Sequence, residues 1–156
     1  MKNIRRLTAE DVPRLRRFWI KHWAREEIIV HRQVIRPEQV EGFTYEDWLG
    51  LITYCVRENE CEIISLDSLR EGQGIGSTLT EAVIKEAQAR RCRRITVVTT
   101  NDNLQALGFY QKRGFSLVAV RRGAIDEARK RKPAISRTGK NGIPLRDEIE
   151  LEFLLQ

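Results

Sequence analysis

The sequence predicts an α/β (α+β) fold: a mixed, mostly antiparallel sheet with one parallel central strand pair, flanked by helices. Two observations predict it. The first sixty residues alternate short β-branched runs with polar turns, the pattern of an antiparallel meander. From Cys61 onward the order becomes strand, glycine-rich turn, amphipathic helix, strand, a crossover that makes its two strands parallel neighbours. At 156 residues, 41% apolar and 32% charged, residues 1–156 have the size and composition of a single domain that buries a full core without staples.

The elements follow in order. Ile4 to Leu7 reads as a short strand. Thr8 then caps a helix while Asp11 reaches back to it. Val12, Leu15, Phe18, Trp19 and Trp23 recur near helical spacing, with Pro13 tolerated in the first turn, and both tryptophans are expected in the core. Ile28 to Ile35 is a β-branched run that Pro37 to Gly42 interrupts. Phe43–Tyr45, Trp48–Val56 and Cys61–Leu66 complete the meander. A helix over about 74–91 carries Ile75, Leu79, Ala82, Val83 and Ala87 on one face. The strand Ile95–Thr99, a helix over about 103–113, and the strand Phe115–Val120 come next. Ala124 to Lys132 reads as a surface helix with a basic last turn. Pro133 to Pro144 is the loosest stretch, and Glu148 to Leu155 alternates as a strand with one face in the core.

Composition excludes several function classes. No apolar run reaches the eighteen or so residues of a membrane span, and the N-terminus lacks the apolar segment of a signal peptide, so a cytoplasmic address without membrane association is expected. Cys55, Cys61 and Cys92 have no metal-ligand spacing, with only His22 and His31 to complement them, so neither a metal site nor a disulfide framework is expected; they read as small buried apolar residues. The formal charge of +6 resides in residues 121–140. There Arg121, Arg122, Arg129, Lys130, Arg131, Lys132, Arg137 and Lys140 face only Asp126 and Glu127. No aromatic is interleaved for base stacking, so a nucleic-acid partner is the weaker reading and a solvated helix the stronger.

The chemistry concentrates in two segments. Gly72, Gly74 and Gly76 lie where a strand turns into a helix. Without β-carbons the backbone approaches a ligand closely, and the first-turn amides with the positive end of the helix dipole favour a phosphate, so a pyrophosphate is the expected guest. The turn lacks the lysine of a P-loop and the glycine spacing of a dinucleotide fingerprint. A tight turn with no ligand is the alternative for the loop taken alone.

Glu71-Gly-Gln-Gly74-Ile-Gly76, followed by Asn103, Ala106, Tyr110 and Gly114-Phe115 in that order, resembles the GCN5-related N-acetyltransferases. The first motif matches at every position but Glu71, where that family has Gln or Arg. The resemblance covers about half the chain; the N-terminal third is similar in strand and helix pattern only. It implies acetyl-CoA as co-substrate, with no metal, held where the parallel strands splay apart. Glu71, Gly72, Gln73, Gly74, Ile75, Gly76 and Ser77 would hold the pyrophosphate. Leu66, Asp67 and Ser68 would pair with the pantetheine arm like an added strand, and the Leu66 N–H would polarise the thioester carbonyl.

Within that reading Tyr110 is the candidate acid for the departing thiolate, since a phenol titrating near ~10 stays protonated at neutral pH; its alternative is a buried aromatic stacked with Phe109. Asn103 caps its helix, bonds the pantetheine arm, or does both. Glu62 is the first candidate base for the acceptor ammonium, and Glu60, two residues earlier on the same strand face, is the alternative. No cysteine is placed for a covalent acyl-enzyme. The acceptor, a small-molecule or peptide amine, is implied to meet Trp19, His22, Trp23, His31 and the Pro37–Gly42 loop. A catalytically silent acyl-CoA sensor and a nucleic-acid module on 121–140 are the rival functions. The terminal strand offers an edge for a homodimer.

Overall fold

In the computed structural model, which describes residues 3–156, the chain divides between Arg93 and Arg94 into two units. The first begins with β1 (Ile4–Arg6) and one 3₁₀ turn, then α1 (Val12–Trp23). The helix start is built as its sequence spacing predicts. Asp11 Oδ2 accepts the Thr8 N–H at 2.8 Å, and Arg5 clamps the same carboxylate at 2.9 and 3.0 Å. That guanidinium holds the Asp11 carboxyl down at about 2.

The run from Ile28 to Ile35 is not one strand but a hairpin, β2 (Ile28–Val30) and β3 (Gln33–Ile35). His31 and Arg32 form its two-residue turn at φ 52° and 64°. Such turns normally advertise themselves with Asn-Gly; without those residues the break is invisible in the sequence. Next come β4 (Glu41–Tyr45), β5 (Gly50–Arg57) and β6 (Glu60–Ser68). Trp48, expected to open β5, instead lies in the preceding turn at φ 58°, its ring buried beside Phe18. Strands β1, β4, β5 and β6 pair antiparallel in that spatial order.

Leu15, Phe18 and Trp19 of α1 join Ile28, Ile35, Trp48, Leu51, Cys55 and Ile64 in the core on one face of these strands. The opposite face takes α2 (Ile75–Ala89), which packs through Ile75, Leu79, Ala82, Val83 and Ala87, the apolar face the sequence predicts. Trp23 departs from expectation: it is 38% exposed, because the core stripe of α1 ends at Trp19.

The second unit holds β7 (Arg94–Thr100), α3 (Leu104–Lys112), β8 (Ser116–Arg121), α4 (Ala124–Arg131) and β9 (Glu148–Leu154). β9 lies between β7 and β8 and is antiparallel to both. The terminal strand therefore has no free edge for a second copy, contrary to expectation; the second partner of β9 is β8. Leu151 of β9 is fully buried. The opposite, acidic face is covered as well: Glu150 is only 7% exposed, with Arg121 and Arg94 on it and on its neighbours Glu148 and Glu152.

The stretch from Pro133 to Pro144 is tied rather than loose. Arg129, almost buried, donates to the carbonyls of Ile135, Ser136 and Leu145. From the other side, Asp102 accepts the Lys140 N–H at 2.7 Å, and Asn101 accepts the Arg146 and Asp147 amides. Arg121 and Arg129 are thus spent on internal carboxylates and carbonyls, and Lys130 pairs with Glu127 at 3.1 Å. The basic segment is not one continuous cationic face. No helix of the described residues is long and apolar enough to cross a membrane.

Candidate active site

The glycine-rich turn is set by what precedes and follows it. Gly50 lies under the start of α2: a β-carbon there would come within 2.3 Å of Ile75 Cγ2, so its absence lets the helix seat its first residue against β5. Ahead of Ile75, Gly74 caps the helix in the left-handed region at φ 70°, and Gly72 adopts φ 75°. A β-carbon at either would meet nothing within 4 Å. These glycines are therefore required by conformation, and the space beside them is open. The Thr78 N–H is the first to find its intrahelical acceptor, Gly74 O at 2.9 Å, so the Ile75 and Gly76 amides lie ahead of that bond at the positive end of a fifteen-residue helix. Glu71 and Gln73 are exposed, and Ser77 is half-buried.

Strand β6 leads into this turn with a change of register. Thr53 pairs with Ser65 and Tyr54 with Ile63, so Ile64 is an extra residue, a β-bulge. Ile63, Ile64 and Ser65 are all buried, as both faces of the strand are covered, by α1 on one side and α2 on the other. Beyond the bulge, the Leu69 N–H donates to Leu49 O at 2.9 Å, and Leu51 opposes Asp67 while Ile52 opposes Leu66. Hydrogen-bonded and non-hydrogen-bonded pairs alternate in an antiparallel ladder. The backbone groups of Asp67 therefore face β5, and those of Leu66 and Ser68 face the other way. The Ser68 hydroxyl donates to Arg70 O at 2.9 Å.

The side chains of β6 divide by face. Glu62 opposes Cys55 and Asp67 opposes Leu51, and both of those partners belong to the core beneath α1. The two carboxylates thus share the α1 face. His31, from the β2–β3 turn, brings Nε2 to 3.0 Å from Glu62 Oε2. Trp23 Nε1 donates to both oxygens of Asp67 at 3.0 and 3.1 Å. Glu60 pairs with Arg93 at the far end of the strand. Neither the Trp23 nor the His31 contact is legible in the sequence, since each joins residues more than thirty positions apart.

In the second unit, Asn103 caps α3 by accepting the Ala106 N–H at 3.1 Å. Tyr110 is 5% exposed. Its ring lies edge-on to Phe109 rather than stacked on it, at 5.1 Å and 88°, and edge-on to Phe115 at 5.2 Å. Asp102, one residue before the cap, is a buried carboxylate that no motif identifies. Burial pushes its carboxyl up, but the Thr100 hydroxyl and the Lys140 amide outweigh that and hold it below its ordinary value.

The three cysteines are buried and unpaired with one another. Burial pushes the Cys61 thiol up to about 12 and raises Cys55 and Cys92 as well, so none is poised as a thiolate. Among the described residues no group of His, Cys, Asp and Glu is arranged to hold a metal ion.

Residues 8–115 match the model of the acetyltransferase (GNAT) family. The chain is 42% identical over 136 residues to the uncharacterized protein YdhI of Bacillus subtilis (strain 168), covering 85% of each. It is 40% identical over 143 residues to YxbD of the same organism, covering 89% of this chain and 90% of that one. In fold it is similar to a Bacillus subtilis acetyltransferase solved in complex with CoA, with a TM-score of 0.71, 18% identity and 99% of each chain covered. The chain therefore belongs to the acetyltransferase (GNAT) family: it has the mixed α/β fold, mostly antiparallel with one parallel strand pair between flanking helices, and it is an acyltransferase.

Proposed function

We propose that this acyltransferase works as one cytoplasmic catalytic domain that moves the acetyl group of acetyl-CoA to a primary amine, on a small molecule or a peptide, by direct attack on the thioester. The observation that carries the reading is a succession of backbone donors. The Leu66 and Ser68 amides are turned out from β5, the open turn at Gly72 and Gly74 follows, and then come the first amides of α2. That donor set fits a pyrophosphate followed by an extended polar arm: amides gather at a helix N-terminus, and the Leu66 and Ser68 backbone groups that face away from β5 lead into it.

When bound, acetyl-CoA supplies an activated acyl group on a thiol leaving group. The residues from Glu71 to Ser77 bind the pyrophosphate, and the backbone of Leu66–Ser68, with Asn103, aligns the arm. The Leu66 N–H stabilises charge developing on the carbonyl oxygen, the largest single contribution that a preorganised donor makes. Glu62 takes the proton of the acceptor ammonium, which leaves the nitrogen lone pair free to attack. Tyr110, whose phenol is ordinarily protonated at neutral pH, delivers a proton to the departing sulfur.

The test is a calorimetric titration of the protein with acetyl-CoA, with desulfo-CoA and ATP as controls, followed by release of free thiol on addition of primary amines. Saturable one-site binding that ATP does not match, with amine-dependent thiol release, is expected. Binding without release from any amine would sink the transferase reading and leave a sensor.

A further inference from the structure

A second opening lies at the far end of β5, away from the glycine turn. A cavity of about 440 Å³ is lined there by three consecutive residues of β3, Gln33 to Ile35, and three consecutive residues of β5, Cys55 to Arg57. Successive side chains of a strand point to opposite faces, so a cavity that meets three in a row runs along the strand's edge. Neither edge is covered by another strand. β3 has β2 alone beside it. β4 starts at Glu41, opposite Tyr54, so from Cys55 to Arg57 β5 is paired with β6 on one side and with no strand on the other. The chain enters β4 from the 3₁₀ turn Pro37–Gln39, too late to cover those three residues.

The turns that end these strands show which backbone groups face the slot. Glu58 and Asn59, at φ 49° and 66°, form a two-residue turn whose flanking residues, Arg57 and Glu60, exchange backbone hydrogen bonds. Alternation then turns the Val56 N–H and C=O away from β6. The His31–Arg32 turn does the same for β3: Val30 and Gln33 flank it, so the Val34 N–H and C=O face away from β2. Side chains add a charge. Cys55 belongs to the core beneath α1, and Arg57, two residues on, shares that face. Its guanidinium donates to the neutral Gln33 Oε1 at 2.9 Å, from β5 to β3. Glu41 lines the cavity too, but both its oxygens are held by Arg90 at 2.9 Å. Arg57 is therefore the charge that the slot offers a guest.

We propose that this slot takes an extended peptide segment by strand addition, with its main chain on the Val56 and Val34 edges and an acidic side chain against Arg57, and that the acceptor amine is accordingly carried on a polypeptide. The second half rests on the transferase reading above; the first does not. An uncovered strand edge is a template for another extended chain, whereas a free small amine leaves the same groups unpaired. The peptide residue opposite Val56 exchanges hydrogen bonds with it. Its neighbours lie opposite Cys55 and Arg57 on the α1 face, which favours a small apolar side chain at one and a carboxylate at the other. Cys55 in turn opposes Glu62 of β6, so the slot borders the strand on which the proposed transfer takes place.

The experiment follows the fluorescence anisotropy of hexapeptides of alternating valine and threonine, each with a free N-terminus and a C-terminal dye. One carries a central glutamate, one a lysine in its place, and one the glutamate with alternate backbone amides N-methylated. The proteins are wild type, Arg57→Gln and Val56→Pro. Proline is tolerated where a strand's N–H faces outward, so Val56→Pro leaves the β5–β6 ladder intact. Wild type binds the glutamate peptide saturably, the lysine peptide about tenfold more weakly, and the N-methylated peptide not at all. Arg57→Gln removes the preference for glutamate, and Val56→Pro weakens binding about tenfold. Melting temperature and coenzyme A affinity, unchanged in both variants, separate these losses from misfolding. With acetyl-CoA present the glutamate peptide releases free thiol, and its KM rises in Val56→Pro in step with its Kd. No saturable binding of the glutamate peptide, or equal binding of the N-methylated one, overturns strand addition. Thiol release from small amines but not from a bound peptide overturns the polypeptide acceptor. Peptide binding with no thiol release from any amine overturns the transferase reading instead.

Discussion

The turn from Leu69 to Gly74 and the connection from Lys132 to Asp147 are both irregular and both contain glycine, but they are built on opposite plans. The first is shaped by backbone: Gly72 and Gly74 take left-handed angles, and the space where their side chains would lie is empty. The second is shaped by side chains. A β-carbon on Gly139 would come within 2.2 Å of Asp102 Oδ2, because that carboxylate is folded into the loop to bond the Lys140 amide. The difference teaches how to tell two kinds of glycine apart. One leaves room for a ligand, and the other makes room for the protein itself.

The largest expected effect lies on the filled side. Asp102→Ala strands the Lys140 N–H and the Thr100 hydroxyl and lowers stability by about 3 kcal/mol, read as a shift of the urea midpoint at constant m-value, with coenzyme A affinity unchanged. A loss under about 1 kcal/mol would mean that water replaces the carboxylate and that the two loops differ less than their contacts indicate. The same carboxylates give an acid limit. Asp102, Asp147 and Asp11 are all held below their ordinary values, so the folded chain binds fewer protons than the unfolded one. Their stabilisation is complete above ~pH 4 and is lost as pH falls through the folded values, about 2 for Asp11. Acid unfolding followed by circular dichroism should show it, and Asp102→Ala should flatten it.

On the open side, Gly74→Ala meets no steric obstacle and costs only the left-handed backbone penalty, roughly 1 kcal/mol. Its affinity for coenzyme A falls about tenfold, since reorienting the turn misaims the amides; tenfold corresponds to about 1.4 kcal/mol. Equal affinity in a variant that remains folded would show that the turn is structural, like its counterpart. The smallest effect is Glu71→Arg, which exchanges an exposed anion beside the proposed phosphates for a cation and tightens coenzyme A binding about threefold at low salt, less at high salt. Calorimetry at two ionic strengths measures it, and unchanged affinity at both would mean that the side chain points away from the turn.

Much of the fold was legible in the chain. The α2 face, the Thr8–Asp11 capping pair, the Asn103 cap and the alternation of β9 all follow from local spacing, since helix period, strand period and cap chemistry act over a few residues. Three kinds of feature were not. The His31–Arg32 turn lacks the residues that normally mark a hairpin, so Ile28 to Ile35 reads as continuous. The bulge at Ile64 depends on pairing with Thr53 and Tyr54. The apparent looseness of Pro133–Pro144 disappears once Arg129, Asp102 and Asn101 come in from elsewhere in the chain.

The candidate site divides along the same line. The sequence by itself determined the glycine turn, the helix that follows it and the order of the two family motifs, because a backbone-built anion cradle needs only glycines at the right spacing before an apolar helix. Tertiary structure alone decided which backbone groups of Leu66–Ser68 face outward, that Trp23 leaves the core to bind Asp67, and that His31 reaches Glu62. Those contacts are fixed by strand register and by a hairpin folding back over a sheet, and register couples residues far apart in sequence through the burial of whole faces rather than through any local preference.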